Sequence, residues 1–251
     1  MNIERILNFR TIIILIFAAL LSYGIYWLVI SNIFKNNLLL QLAENKSISY
    51  KTIDSSGFPI QIQTNINEFE IINSKSDNIL LDSKAIQLSM HPFDLSKVAL
   101  KSNLISILVN KDNLVFDIDM NSVLSVIFVD QNNLHNLNSA INNIKISGND
   151  IFLANLDQVH IKINENSPQL FDINTKVNSA QLETINSQNV SIEMKGTLKL
   201  DNKVLNGNLN ILIKDLKTNE DIFNLPFNIK DNQVIFLFMN IFDLNKILFF
   251  L

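Results

Sequence analysis

Val190-Ser191-Ile192-Glu193-Met194-Lys195-Gly196-Thr197-Leu198-Lys199-Leu200-Asp201 is written in a period of two. Apolar or small residues hold every even position, and polar residues hold every odd one. Successive side chains of a strand point to opposite faces, so this run reads as a strand of about 35 Å with one apolar and one wet face. Asp201-Asn202-Lys203 is turn chemistry. Beyond it, Leu205, Gly207, Leu209, Ile211 and Ile213 share one face, with Asn206, Asn208 and Asn210 on the other. Together the two runs predict a long antiparallel hairpin.

The same period recurs upstream. Candidate strands pass through Ile86, Leu88 and Met90; Val98 and Leu100; Ile105, Ile107 and Val109; Phe116, Ile118 and Met120; Ile144 and Ile146; Val159, Ile161 and Ile163; and Phe171, Ile173 and Val177. Breaks fall at Lys111-Asp112-Asn113, at Gly148-Asn149-Asp150 and between Asn164 and Pro168. Nearer the start, Gly57-Phe58-Pro59 interrupts the chain. Ile60, Ile62, Thr64 and Ile66 then alternate with Gln61, Gln63, Asn65 and Asn67. Phe69 and Ile71 continue in the opposite parity, which predicts a bulge near Asn67 and Glu68. Over 122–143, the residues Val123, Val126, Ile127, Leu134, Leu137 and Ile141 fit a helical spacing as well as a strand. From Val234 the chain is apolar on both parities, which suits a buried last strand and a short plug. Asp243 and Lys246 break it, so it makes a poor second membrane span.

A different signal stands at the other end. Residues 11–30 carry no charged side chain, and a helix of that length is about 30 Å long, the thickness of a bilayer's hydrocarbon core. Tyr23, Tyr26 and Trp27 gather toward its far end, where amphipathic rings suit the headgroup zone. A cleaved signal peptide has a shorter apolar core and a small-residue cleavage site, which Val29-Ile30-Ser31-Asn32-Ile33 does not offer. Arg5 and Arg10 precede the run and Lys35 follows it, which favours a cytoplasmic N-terminus. Ile33, Phe34, Leu38, Leu40 and Leu42 then read as a short helix ending near Asn45.

The expected organisation is therefore a cytoplasmic N-terminus over 1–10, a transmembrane anchor over 11–30, a juxtamembrane helix over 31–46 and a periplasmic β-rich domain over 47–251. The expected fold class is mostly β: the N-terminal transmembrane helix followed by a long antiparallel, curved β-sheet, as a groove, a sandwich or an open barrel. The period of two does not separate these three.

Composition bears on chemistry. The chain has no cysteine, so it has no disulfide framework and no zinc–thiolate site. A net charge of −4 argues against nucleic acid as a partner. His91, His135 and His160 lack metal-ligand spacing, and five glycines supply neither a phosphate loop nor a nucleophile elbow. Asp117 and Asp119 share a strand face, which reads as a solvated face rather than a catalytic pair. Asn45-Lys46-Ser47 and Asn189-Val190-Ser191 match glycosylation sequons, which arise by chance in an Asn- and Ser-rich chain. No catalytic residue, cofactor or metal is expected.

An apolar helix, a short polar helix and then Ser56-Gly57-Phe58-Pro59 entering a strand resemble the uncharacterised bacterial family called domain of unknown function 2125. Its Gly-Phe-Pro motif matches Gly57, Phe58 and Pro59. Met90-His91-Pro92-Phe93-Asp94-Leu95 resembles its next strand and turn. Gly196, Thr197 and Leu198 with Gly207 and Leu209 resemble its Gly-Thr-Leu and Gly-x-Leu hairpin, and Leu225-Pro226-Phe227 resembles its closing strand. The AsmA-like envelope proteins are similar in being anchored at the N-terminus and rich in long strands. The resemblance implies an inner-membrane, single-pass protein with a periplasmic β-groove and a part in lipid handling. It implies no activity and no catalytic residues. The Asn- and Ile-rich composition and the very apolar C-terminal stretch depart from the family.

Two functions are carried forward. One is a non-enzymatic protein that binds phospholipid or another envelope lipid on an apolar groove. Its lipid-facing candidates are Ile60, Ile62, Val190, Ile192, Met194, Leu198, Leu200, Leu209, Ile211 and Ile213, and residues 11–30 contact the bilayer. The other is an envelope scaffold with a closed β core that pairs with another envelope protein.

Overall fold

The computed structural model describes residues 3–73, 78–111, 114–130, 133–149, 151–182, 189–201, 204–236 and 239–243. One helix, α1 (Ile3–Glu44), is followed by fourteen strands in one antiparallel sheet. They are β1 (Ile48–Ser49), β2 (Thr52–Ser56), β3 (Ile62–Asn73), β4 (Asn78–His91), β5 (Asp94–Lys111), β6 (Leu114–Asp130) and β7 (Asn133–Gly148). There follow β8 (Ile151–Ser167), β9 (Leu170–Leu182), β10 (Asn189–Asp201), β11 (Val204–Asp215), β12 (Asp221–Lys230), β13 (Gln233–Phe236) and β14 (Met239–Asp243). From β3 to β14 each strand pairs with the next in sequence, and β1 and β2 both pair with the outer side of β3. The sheet is open: its first and last strands do not pair with each other.

Three expectations are corrected here. The sheet is neither a sandwich nor a barrel, because every strand belongs to one unclosed ladder. Nor does it curl into a groove; a pure meander of neighbouring hairpins places no demand on the two edges to approach. The anchor and the juxtamembrane helix are one element, since α1 runs unbroken through Ile30 and Ser31 to Glu44. No proline interrupts it, and Asn45 ends it: its carbonyl accepts from Ile48 N at 3.1 Å and its side chain from Ser47 N at 3.0 Å.

The late hairpin forms as its alternation requires. β10 and β11 pair from Val190↔Asp215 to Asp201↔Val204. Ile192↔Ile213 and Met194↔Ile211 lie on the apolar face, and Lys195↔Asn210 and Thr197↔Asn208 on the polar one. Gly196 faces Leu209, and Gly207 faces Leu198. A Cβ on Gly196 would lie 2.0 Å from the Asn208 carbonyl oxygen, and one on Gly207 2.1 Å from that of Thr197. These glycines therefore allow a close approach of the two backbones. The region 122–143, which the spacing left between helix and strand, is the β6–β7 hairpin.

A line of backbone irregularities crosses the sheet. Glu68, Ser122, Asn143 and Gln158 have positive φ, near 50°. Each interrupts the regular pairing of its strand at nearly the same height: Glu68 between Asn67 and Phe69, and Gln158 between Asp157 and Val159. Each inserts one residue of left-handed backbone, so the apolar face switches parity there and stays continuous. Ile66 and Phe69 are both buried, as are Ile141 and Ile144. At Asn67 and Glu68, where a bulge or turn is expected, the left-handed Glu68 changes the face without shifting the register, since Asn67↔Ala85 and Phe69↔Ser83 keep step.

Where the line crosses β4 and β5, the ladder lacks pairs between Asp82↔Ser106 and Ile86↔Ser102. Two buried hydroxyls fill the gap. Ser83 Oγ lies 2.9 Å from Ser102 Oγ, and the pair reaches the carbonyls of Leu104 (2.8 and 3.0 Å) and Ala85 (3.4 and 3.1 Å).

Far from α1, Asp215 closes the β11–β12 turn. Its carboxylate accepts from the backbone N–H groups of Thr218 at 3.0 Å and Lys217 at 2.6 Å, which hold its pKa below the usual carboxylate range. That support is present while the group is ionised and fades as acid protonates it. Residues 244–251, and with them the C-terminal plug expected from sequence, lie outside the described residues.

The serine pair and a nearby threonine predict opposite effects. Ser102→Ala leaves a buried carbonyl without its donor and should lower unfolding stability by about 1–3 kcal/mol. Thr64 Oγ1 is buried with no hydrogen-bond partner, so Thr64→Val should leave stability unchanged or raise it. Chemical denaturation of the detergent-solubilised chain checks both signs.

Candidate functional site

Two places concentrate what the sequence singled out: the junction where α1 meets the sheet, and the apolar sheet face beyond it. The junction is built by two loops. The β2–β3 loop holds Gly57, Phe58, Pro59, Ile60 and Gln61. Gly57 sits at φ 99°, and the Phe58–Pro59 peptide is cis. A Cβ on Gly57 would lie 2.6 Å from the Gln61 carbonyl oxygen, and that close turn lets Gln61 N donate to Gly57 O at 3.1 Å. The β4–β5 loop holds Pro92 and Phe93 between His91 and Asp94.

α1 meets both loops through its three polar-tipped aromatics. Tyr23 donates to the Pro59 carbonyl, Trp27 Nε1 to the Gln61 carbonyl at 3.0 Å, and Tyr26 to the Pro92 carbonyl at 2.7 Å. The rings also pack. Phe93 stacks on Tyr26 at 5.4 Å and on Tyr23 at 5.7 Å between centroids, and Phe58 meets Trp27 edge-on at 5.4 Å. Below this collar, Trp27 is buried with Ile62 and Met90, beside Ile30, Phe34 and Val98. Farther along the helix, Leu38, Leu39 and Leu42 cover Ile53, Ile66, Phe69 and Ile86. The second half of α1 thus lies along the apolar face of β2–β5, and the first half projects beyond the sheet. From Ile12 to Ile25 its large apolar side chains are exposed.

Beyond β5 the apolar face continues without α1. Val123, Ile141, Val159, Val177 and Ile192 follow one another across β6–β10, each opposite the next. Met120, Ile146, Ile161 and Ile213 pack against this row while remaining partly exposed.

The lipid-facing candidates therefore divide. Ile192, Met194, Leu200, Leu209, Ile211 and Ile213 are half-buried on the uncovered face. Ile62 and Val190 are 0% exposed and leave the set: Ile62 lies under Trp27, and Val190 lies within the packed row. Leu198 is buried against Gly207. Ile60 is 74% exposed, on the loop rather than the sheet. Gly196 and Gly207 serve strand approach, whereas Gly57, Phe58 and Pro59 build the junction. Sequence reasoning flagged Tyr23, Tyr26 and Trp27 as a membrane belt and missed their contact with Phe58 and Phe93. That contact spans more than thirty residues of chain and has no local signature.

The described titratable residues meet in pairs at most, such as Lys51 with Glu68 and Lys195 with Glu193, each at 2.6 Å. Asp119 accepts from Ser106 Oγ at 2.6 Å, His135 pairs with Glu165 at 2.6 Å, and His91 Nδ1 accepts from Phe93 N at 3.3 Å. Among the described residues, no three His, Asp or Glu side chains gather as a metal site.

Trp27→Ala removes a buried indole and its hydrogen bond, and should cost about 3–5 kcal/mol. Tyr26→Phe removes one hydroxyl donor and should cost about 1 kcal/mol. Thermal unfolding in detergent, compared with the parent chain, checks the ratio.

No family model matches the chain, and searches of curated proteins and of solved structures return no match either, so the family resemblance remains an expectation.

Proposed function

We propose that the chain is a non-enzymatic, single-pass membrane protein that offers an apolar β-sheet face to the acyl chains of envelope lipids. Its N-terminus lies in the cytoplasm and its sheet on the periplasmic side of the inner membrane. One observation supports the reading: the apolar face of one continuous sheet starts under a helix long and apolar enough to span a membrane and runs on across β6–β11, where half-buried Met120, Ile146, Ile161, Ile192 and Ile213 flank a buried row and, among the described residues, no second layer lies over them. Apolar surface left in water costs roughly 25 cal/mol per Å², so a wide apolar face favours an apolar occupant. Phospholipid tails match a surface of Ile, Leu, Val and Met that carries no charge. The charges lie on the opposite face, where Lys195, Lys199 and Glu193 alternate with the apolar set. Arg5 and Arg10, before the apolar run within α1, support the orientation. The scaffold reading would instead have protein, joined along a free edge of the open ladder, cover those half-buried side chains.

Photo-crosslinking in the native membrane tests the proposal. A benzophenone amino acid at Met194 or Ile213 should capture phospholipid, while one at Lys195 or Asn210, on the polar face of the same hairpin, should not. Equal lipid capture on both faces, or protein adducts alone from the apolar face, would remove the lipid reading.

A further inference from the structure

The strands alternate in direction, so the sheet has two ends, and α1 projects from only one of them. The connections at that end are the β2–β3 and β4–β5 loops and, farther along, the β6–β7, β8–β9, β10–β11 and β12–β13 turns. Their chemistry differs sharply. The first two present Phe58, Ile60, Phe93 and Leu95, which are 56, 74, 67 and 52% exposed. The others read Asp130-Gln131-Asn132-Asn133, Asn166-Ser167-Pro168-Gln169, Asp201-Asn202-Lys203 and Asp231-Asn232. Only the two loops beside the apolar helix end in large apolar side chains.

We infer that these two loop tips enter the interfacial layer of the same membrane that α1 crosses, so that the sheet stands end-on against the bilayer rather than swinging from a tether. The inference rests on the anchoring part of the proposed function and adds a second contact to it. The depth is right. Tyr23, Tyr26 and Trp27 stand in the last turns of the apolar run, where amphipathic rings suit the headgroup zone. Tyr23 holds the β2–β3 loop at that level through Pro59. Water grows scarce from that level toward the hydrocarbon, and an unsatisfied backbone group becomes costly.

The tips are finished accordingly. Pro59 and Pro92 have no N–H to satisfy. The carbonyls of Pro59, Gln61 and Pro92 take hydrogen bonds from Tyr23, Trp27 and Tyr26. Gln61 N is taken by Gly57 O and Phe93 N by His91 Nδ1. The loops thus meet these hydrogen-bonding needs from within while turning Phe58, Ile60, Phe93 and Leu95 outward, and the one carboxylate among them, Asp94, accepts from Ser96 Oγ at 2.6 Å. An apolar recess of about 470 Å³ lies between Phe58 and Leu20, Leu21, Gly24 and Leu28. Gly24 leaves it open, since a Cβ there would meet nothing within 4 Å. Such a recess suits a segment of acyl chain.

The chain has no cysteine, so single cysteines can be placed at will in the full-length protein. Phe17→Cys, Ile60→Cys, Leu95→Cys and Lys217→Cys, each carrying bimane, are reconstituted in phosphatidylcholine–phosphatidylglycerol vesicles. The vesicles contain lipids spin-labelled at the headgroup, at carbon 5 or at carbon 12. The label at residue 17 should be quenched by the deep spin label. Those at residues 60 and 95 should be quenched by the headgroup and carbon-5 labels, severalfold more than the label at residue 217. Trp27, the sole tryptophan, reports the fold of each variant and, through brominated lipids, the collar depth of the unmodified chain. Quenching at 17 with none at 60 or 95, and a Trp27 insensitive to shallow bromines, overturns the inference while the anchor stands. No quenching at 17 overturns the anchor as well.

Discussion

A sheet with one apolar face and no partner sheet must cover that face with something other than water. In this chain α1 covers the first part. Trp27, Phe34, Leu38 and Leu42 lie on β2–β5, and the deepest side chains there, Ile62 and Thr64, have no exposed surface. The cover ends where the helix ends. Across β7–β10 the same face is continued by Ile141, Val159, Val177 and Ile192, which among the described residues pack only on their neighbours in the sheet. The position of the candidate site follows from this uneven covering. One helix, long and apolar enough to cross a membrane, serves as core element for the first strands and as clamp on two loops.

Keeping that face apolar over strands of up to eighteen residues sets a second condition. A strict period of two would keep one face apolar only while every strand stayed regular. The left-handed residues Glu68, Ser122, Asn143 and Gln158 reset the parity together, at matched heights in neighbouring strands. Because bulges bend the strand that holds them, alignment lets neighbours bend together and remain paired. The Ser83–Ser102 pair marks the place where the ladder cannot be kept and side chains serve its carbonyls instead.

Legibility followed range. The β10–β11 hairpin was readable because period, turn and face all sit within two dozen consecutive residues. The parity change at Phe69 announced the first reset. At 122–143 the resets at Ser122 and Asn143 spoil the period within a single hairpin, and what remained matched a helix as well as a strand. The openness of the sheet was hidden, because alternation describes faces and says nothing of how edges close. The junction was hidden too: Tyr23, Tyr26 and Trp27 made sense as a membrane belt without their partners Phe58 and Phe93. Ile62 looked lipid-facing for the same reason, since the helix that covers it belongs to another part of the chain.

The pairing order from β3 to β14 matches the chain order without a single crossover. A chain made from its N-terminus presents α1, then the strands that α1 covers, then each later strand beside an edge already formed. Every addition closes a hairpin between sequence neighbours, the least entropically demanding closure a β-protein has. Assembly can thus proceed from the helix outward, with the growing edge always the youngest strand. The same arrangement lets the sheet be lengthened or shortened two strands at a time without disturbing its seat on the helix.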